Sequence, residues 1–371
     1  MKSSPFEIFQ VCFRLGWIAF GGPAAHIALM RDELVEKQKW LSEQTFLDLM
    51  GLTNLIPGPN STEMVLHCGR ERGGVPGLFA AGLGFLSPAI FLSGLLAFLY
   101  VKYGELPSFQ PLLVGLGPAV FIFILGAFLK LWKKAVVNPF LLALGVLTML
   151  ISLFGASEIV ALLFGGLTYV LLQIQRKELA VFAPVTIFLT QATANDMDWT
   201  TLFLKFLKIG ALLYGSGYVL FAFAETELVE SGWLSQAALI EAIGIGQVTP
   251  GPVLSTSTFI GYQIGGFAGA ILASLGIFLP SFLYVLFLGP YLVKWSSIRG
   301  VRTFLNGVNA AAVALIGVVV IDMGKHFSTD LFPWITCAVL ALFYFGFKKT
   351  NPFLILGVSI LCSFLNGTFF A

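Results

Sequence analysis

The sequence predicts an all-α polytopic membrane protein made of two homologous repeats of inverted topology, with helices broken or re-entrant at PGP motifs. Three observations carry that fold class: the apolar composition, an internal repetition at a lag of about 190 residues, and an alternation of basic loops between the repeats. Of the 371 residues, 57% are hydrophobic and 11% charged, and the mean hydropathy is +0.91. A soluble domain carries about a quarter charged residues, so the apolar excess here must face lipid. About 20 residues of helix cross a hydrocarbon core of about 30 Å, which leaves room for roughly a dozen spans. The net charge of +2, without a dense run of Lys and Arg, argues against a nucleic-acid partner. Cys12, Cys68, Cys337 and Cys362 lie in apolar segments with no metal-ligand spacing, so they are expected to be reduced packing residues. No metal and no cofactor is expected. The first apolar stretch carries Glu7 and Arg14 and lacks a cleavage site, which predicts that the N-terminus is retained.

The repetition is chemical, because glycine and proline recur at matched offsets. LGWIAFGGP (15–23) pairs with IGALLYGSG (209–217), LTNLIPGP (52–59) with IGQVTPGP (245–252), and GGVPGLFAAGLGFLSP (73–88) with GGFAGAILASLGIFLP (265–280). The expected organisation is a first repeat at 1–175, a connecting segment at 176–199 containing one transmembrane helix near 179–194, and a second repeat at 200–371.

Lys and Arg in short loops favour the cytoplasmic face. Arg70 and Arg72 pair with an uncharged turn at 262–266. Lys102 beside Glu105 pairs with Lys294, Arg299 and Arg302. Lys130, Lys133 and Lys134 pair with Lys325 alone, and the uncharged turn 152–157 pairs with Lys348 and Lys349. Each basic loop thus has a poor counterpart, which predicts opposite orientation of the two halves, a known transporter architecture. Full spans are expected at 75–101, 109–129, 139–153 and 159–172, with counterparts from 267 onward. Segments 42–56 and 60–69 are too short to cross and lie between basic flanks, so the chain is expected to dip in, turn at PGP and return. Trp40, Trp132, Trp199, Trp233, Trp295 and Trp334 fall near segment ends, as interfacial anchors do.

Irregular backbone at membrane depth is tolerated only in contact with protein or a wet cavity, so the breaks point to a site. After Pro57, Gly58 and Pro59 come Asn60, Ser61 and Thr62; after Pro250, Gly251 and Pro252 come Ser255 and Thr256, all read as capping residues that open short helices. Helix N-termini suit an anion, and two of them meeting near the midplane would suit a tetrahedral oxyanion. The break at Gly21, Gly22 and Pro23 belongs to the same expected site. Arg14 and Lys208 align across the repeats inside apolar stretches and are read either as substrate-binding cations or as snorkelling side chains. Asp48 aligns with Glu241, and Glu63 stands four residues before His67; these four are candidate proton carriers, with a satisfied Glu63–His67 pair as the alternative. His26 follows the GGP break as a local cap or a gate.

FGGPAAH (20–26), PGPNSTEM (57–64) and QVTPGPVLSTSTFIGY (247–262) resemble the signature motifs of the chromate ion transporter family, long two-domain type, and the similarity runs from about 6 to 364. The resemblance implies a multi-pass protein of the bacterial inner membrane that exports chromate and confers resistance, with halves of opposite orientation. The chain is compact for that type, with little between the halves. The alternative is a transporter of sulfate or a related oxyanion with chromate as accidental cargo. An intramembrane enzyme would need paired Asp motifs, a His/Glu metal cluster or a Ser/His arrangement, and none stands out. Expected partners are the oxyanion and the lipid bilayer; a homodimer is left open.

Overall fold

The structure, a computed structural model, describes residues 3–20, 22–104, 106, 110–173, 198–327, 331–346 and 351–369. Gly21, the apolar segment 179–194, Lys348 and Lys349 lie outside the described residues. Each repeat opens with a helix of similar length, α1 (Pro5–Ile18) and α8 (Trp199–Leu212). Ser4 and Glu7 form a capping box that starts α1. The chain then breaks and re-forms as the short helices α2 (Pro23–Arg31) and α9 (Val219–Ala224), which run into π-helical turns at Asp32–Lys37 and Glu225–Val229. Matched serines start the next pair, α3 (Glu43–Thr53) and α10 (Gln236–Val248). The Ser42 hydroxyl accepts from the Thr45 amide at 3.1 Å, and the Ser235 hydroxyl from the Ala238 amide at 3.1 Å.

Both of these helices stop at PGP. Beyond it run α4 (Asn60–Tyr103) and, after a 3₁₀ turn at Val253–Ser255, α11 (Thr256–Leu283). Each folds back on itself, at Gly74 with φ 66° and at Gly266 with φ 57°, a backbone region that glycine enters without penalty. In the second hairpin the Thr258 and Ser274 hydroxyls meet across the turn at 2.7 Å. The first arm reaches Gly73, past the expected end at 69, because its charges find partners. Arg70 donates to the backbone carbonyls of Val285 and Leu286, and Arg72 donates to the Ser3 hydroxyl at 2.9 Å with its guanidinium 5.9 Å from the Trp40 ring centroid.

The remainder of the first repeat is α5 (Gln110–Ala135), α6 (Pro139–Leu153) and α7 (Glu158–Gln173). In the second repeat a further π turn, Tyr284–Leu288, leads into α12 (Gly289–Ser296), α13 (Arg299–His326), α14 (Leu331–Gly346) and α15 (Pro352–Phe369). The expected spans at 75–101, 139–153 and 159–172 are helical, as are the described residues 110–129 of the span expected at 109–129. Among the described residues, four helical stretches are long and apolar enough to cross a membrane: Asn60–Tyr103, Leu112–Ala135, Val253–Leu292 and Arg299–His326. The four cysteines are free.

The repeats interlock. α6 and α7 pack on α13 of the second repeat, and α14 and α15 pack on α5 of the first. Small residues bring the backbones together: a β-carbon on Gly165 would stand 2.8 Å from the Gly307 carbonyl oxygen, and Gly307 is equally closed by Gly165. The equivalent helices α5 and α13 run antiparallel. Phe121 in the first half of α5 meets Phe327 just beyond the end of α13, with ring centroids 5.9 Å apart, whereas Phe128, a turn or two later in α5, meets Gly317, earlier in α13.

Candidate functional site

The four breaks converge where the repeats meet, and two reciprocal hydrogen bonds join them. The Gly58 amide donates to the Leu213 carbonyl at 2.6 Å, and the Gly251 amide donates to the Ala19 carbonyl at 2.7 Å. Each PGP turn is therefore held by the residue that ends the opening helix of the other repeat. Both glycines have positive φ, 137° at Gly58 and 98° at Gly251. The N-cap positions are Pro59 and Pro252, in extended conformation, and neither next helix has a side-chain cap. This corrects the reading of Asn60, Ser61, Thr62, Ser255 and Thr256 as caps; the Asn60 side-chain amide instead donates to Asn54 Oδ1 at 3.0 Å. Ser61, Thr62 and Thr256 lie within the first turns of their helices and Ser255 directly precedes α11 without capping it; all four are buried, and the Thr62, Ser255 and Thr256 hydroxyls have no hydrogen-bond partner. The Pro59 carbonyl takes the Thr62 and Glu63 amides, so the donors at the start of α4 are those of Asn60 and Ser61.

A cavity of about 920 Å³ opens onto this junction. Its floor is formed by the buried or half-buried Gly22, Asn60, Ser216, Gly251 and Val253, contributed by breaks from both repeats, and the exposed Asn54 also lines it. Its walls carry Tyr214, Tyr218, Gln247, Asn306 and Asn309, and its mouth carries Lys130 and Lys134 from the last turns of α5 together with Tyr344 and Pro352. Lys130 donates to the Tyr344 hydroxyl at 3.1 Å and lies 5.0 Å from that ring's centroid. Tyr218 donates to Gln247 Oε1 at 3.1 Å, and Gln247 Nε2 is buried without a partner. No carboxylate stands among the described lining residues. Two ammonium groups with amide and hydroxyl donors suit an anion and repel a cation. Beyond the floor, Pro59, Ser61, His26 and Pro252 enclose about 10 Å³, room for about one water molecule.

The sequence-predicted residues divide. Gly22, Asn60 and Gly251 line the cavity, Pro59, Ser61 and Pro252 line the small void behind it, and Pro57, Gly58, Thr62, Pro250, Ser255 and Thr256 flank the junction without lining the cavity. Arg14 and Lys208 do not join it. Arg14 is exposed on α1, and Lys208 is ion-paired with Glu227, which also lies 3.6 Å from Lys205. Repeat symmetry aligned two cations together with their carboxylate partners, Glu33 interacting with Arg14 and Glu227 pairing with Lys208. Asp48 is exposed and accepts from Gln44 at 2.9 Å, while its counterpart Glu241 accepts from the Tyr100 hydroxyl. Glu63 and His67 are buried and do not bond to each other; both Glu63 oxygens and His67 Nε2 lack partners, as do both nitrogens of His26. Sequence reasoning missed Lys130 and Lys134 as site residues, having read them as loop charge. It also missed Asn306 and Asn309, whose amide side chains three apart inside an apolar span are a usable signal.

The family described as chromate transporter matches twice, at residues 6–170 and 200–364. The chain is 29% identical to a chromate transport protein of Cupriavidus metallidurans over 96% of its own length and 92% of that protein. It is 30% identical to a probable chromate transport protein of Synechococcus elongatus over 95% and 94%, and 28% identical to a chromate transport protein of Pseudomonas aeruginosa over 86% and 81%. No solved structure matches the chain. Two family matches, one over each apolar repeat, make this multi-pass membrane protein a member of the chromate transporter family.

Proposed function

We propose that the protein exports chromate across the cytoplasmic membrane by alternating access around the junction of the four breaks, and so confers chromate resistance. The observation that carries the reading is the carboxylate-free cavity between the repeats, with Lys130 and Lys134 at its mouth and Asn60, Gly251 and Val253 at its floor. Lys130 and Lys134 belong to a basic loop, which the distribution of Lys and Arg assigns to the cytoplasm, so the cavity represents the state loaded from inside. The antiparallel course of α5 and α13 supports opposite orientation of the halves, with re-entrant α3 and α10 meeting at the membrane midplane. A dianion leaving a negative interior gains roughly 4.6 kcal/mol per 100 mV, so the membrane potential favours export.

Two measurements test this. Everted membrane vesicles and proteoliposomes should take up chromate with saturation, faster with an interior-positive potential, and in preference to sulfate, molybdate and phosphate. Failure to accumulate chromate above protein-free liposomes would refute chromate export. Single cysteines replacing Lys133 and Lys325 in a Cys-free background should react with an impermeant thiol reagent from opposite faces; labelling from one face would end the inverted arrangement.

A further inference from the structure

Glu63 is the one carboxylate at the junction of the breaks among the described residues, and it is sealed. Its residue exposure is 0%, and neither carboxylate oxygen has a hydrogen-bond donor or a cation within ion-pair distance. It sits against Gly58. A β-carbon built on that glycine would collide with the Glu63 carboxylate and stand 2.7 Å from the Ser281 hydroxyl oxygen, which comes from the other repeat and is also without a partner. An ionised carboxylate in such a place costs several kcal/mol, and something must neutralise it. The contact is too close to leave space for a metal ion with its ligand shell, which leaves a proton.

The groups facing it are few. Tyr214, from the connection between α8 and α9, and Tyr284, from the π turn after α11, lie within electrostatic range of Glu63. Both hydroxyls donate elsewhere, Tyr214 to the Asn54 carbonyl and Tyr284 to the Ala211 carbonyl at 3.0 Å. His67 and Arg70 share its helix, and Arg70 is engaged by Val285 and Leu286. The packed helices α1, α2, α3, α10 and α11 bring Cys12, Arg14, His26, Asp48, Glu241 and Tyr262; none is bonded to Glu63, and Glu241 accepts from the Tyr100 hydroxyl. Tyr214 lines the anion cavity, and its neighbour Leu213 accepts from the amide of Gly58, the residue against which Glu63 sits, so Glu63 stands behind the cavity wall.

We infer that Glu63 is a proton lock on the oxyanion cavity: the dianion occupies the cavity only while Glu63 carries a proton, so the two load together. A carboxylate directly behind the wall would repel a dianion through a medium of low polarity, and by linkage the bound dianion holds the proton in place. The device is built into one repeat only. Glu63 follows Gly58 by five residues, and the residue five after Gly251 is the neutral Thr256. This rests on the cavity being the oxyanion site.

The test is equilibrium binding of radiolabelled chromate to the purified full chain in lipid nanodiscs, for wild type and Glu63→Gln, across a pH series. The amide copies the protonated carboxyl, and the shared buffers cancel any change in chromate itself. The ratio of wild-type to variant Kd should be near one at the acidic end and rise with pH, toward about tenfold per unit once Glu63 ionises. A wild-type readout stands apart from the variant's folding: at alkaline pH, where chromate is fully dianionic, binding should draw one proton from a weakly buffered solution. A flat Kd ratio, or chromate binding without proton uptake, overturns the lock and leaves the transporter reading intact. No chromate binding at any pH overturns both.

Discussion

Replacing Gly58 or Gly251 with valine should abolish chromate flux in protein that still reaches the membrane. At both positions φ is positive, 137° and 98°, where a β-branched residue is strained by about 1–3 kcal/mol. The space is also taken. At Gly58 a β-carbon meets the Glu63 carboxylate and, at 2.7 Å, the Ser281 hydroxyl; at Gly251 it meets the Ala89 β-carbon at 2.6 Å. Displacing either turn breaks its hydrogen bond to the other repeat, from Gly58 to Leu213 or from Gly251 to Ala19, so the damage reaches both halves of the junction. The two sites differ in a way that can be measured. The obstruction at Gly251 is a methyl group fixed to a helix, so Ala89→Gly should restore part of the flux lost in Gly251→Ala. The obstruction at Gly58 is the end of a longer side chain, so Gly58→Ala should retain more flux than Gly251→Ala. Flux per inserted molecule, from vesicle uptake divided by quantified membrane protein, is the readout. Near-normal flux in both valine variants would remove the PGP junction from the transport cycle.

The symmetry of these two glycines explains which features were legible beforehand. Proline and positive-φ glycine leave a chemical trace that apolar residues do not, so the breaks at PGP and the repeat between them could be read from residue type alone. The limits expected at 139–153 and 159–172 also match α6 and α7 to within one residue at each end. The cavity was not legible, because its walls come from interlocking: α13 lies on α7, and α15 on α5, and no local pattern encodes which helix of one repeat receives which of the other. Lys130 and Lys134 were assigned to a loop because the apolar window ends at 129, whereas α5 continues to Ala135 and carries both lysines to the cavity mouth. Arg14 and Lys208 misled for the opposite reason. Their alignment across the repeats is real, and so is that of their partners: Glu227 pairs with Lys208, and Glu33, at the same offset in the first repeat, interacts with Arg14, so both cations answer local carboxylates rather than the cavity. An aligned pair of charges therefore needs its partners before it can be given a role.

Neutralising the mouth should weaken chromate capture far more than it alters protein level. Lys130 and Lys134 stand one helical turn apart on α5 and both line the cavity, so a dianion entering it passes both ammonium groups. Both side chains are exposed, so water and salt screen them and each glutamine substitution should raise the half-saturating chromate concentration about three- to tenfold, or about 0.7–1.4 kcal/mol. Lys130→Gln should have the larger effect. Tyr344 already holds its ammonium group, through the hydroxyl at 3.1 Å and the ring face at 5.0 Å, so less side-chain freedom is lost when the anion arrives. The double reversal to glutamate turns attraction into repulsion and should reduce flux to background at concentrations that saturate the wild type. Salt separates this effect from simple distortion. Raising ionic strength should weaken wild-type capture and leave the double glutamine variant nearly unaffected, because the variant has no mouth charge left to screen. An equal salt response in both proteins would mean that the attracting charge lies elsewhere, and the cavity mouth would lose its part in selecting an anion.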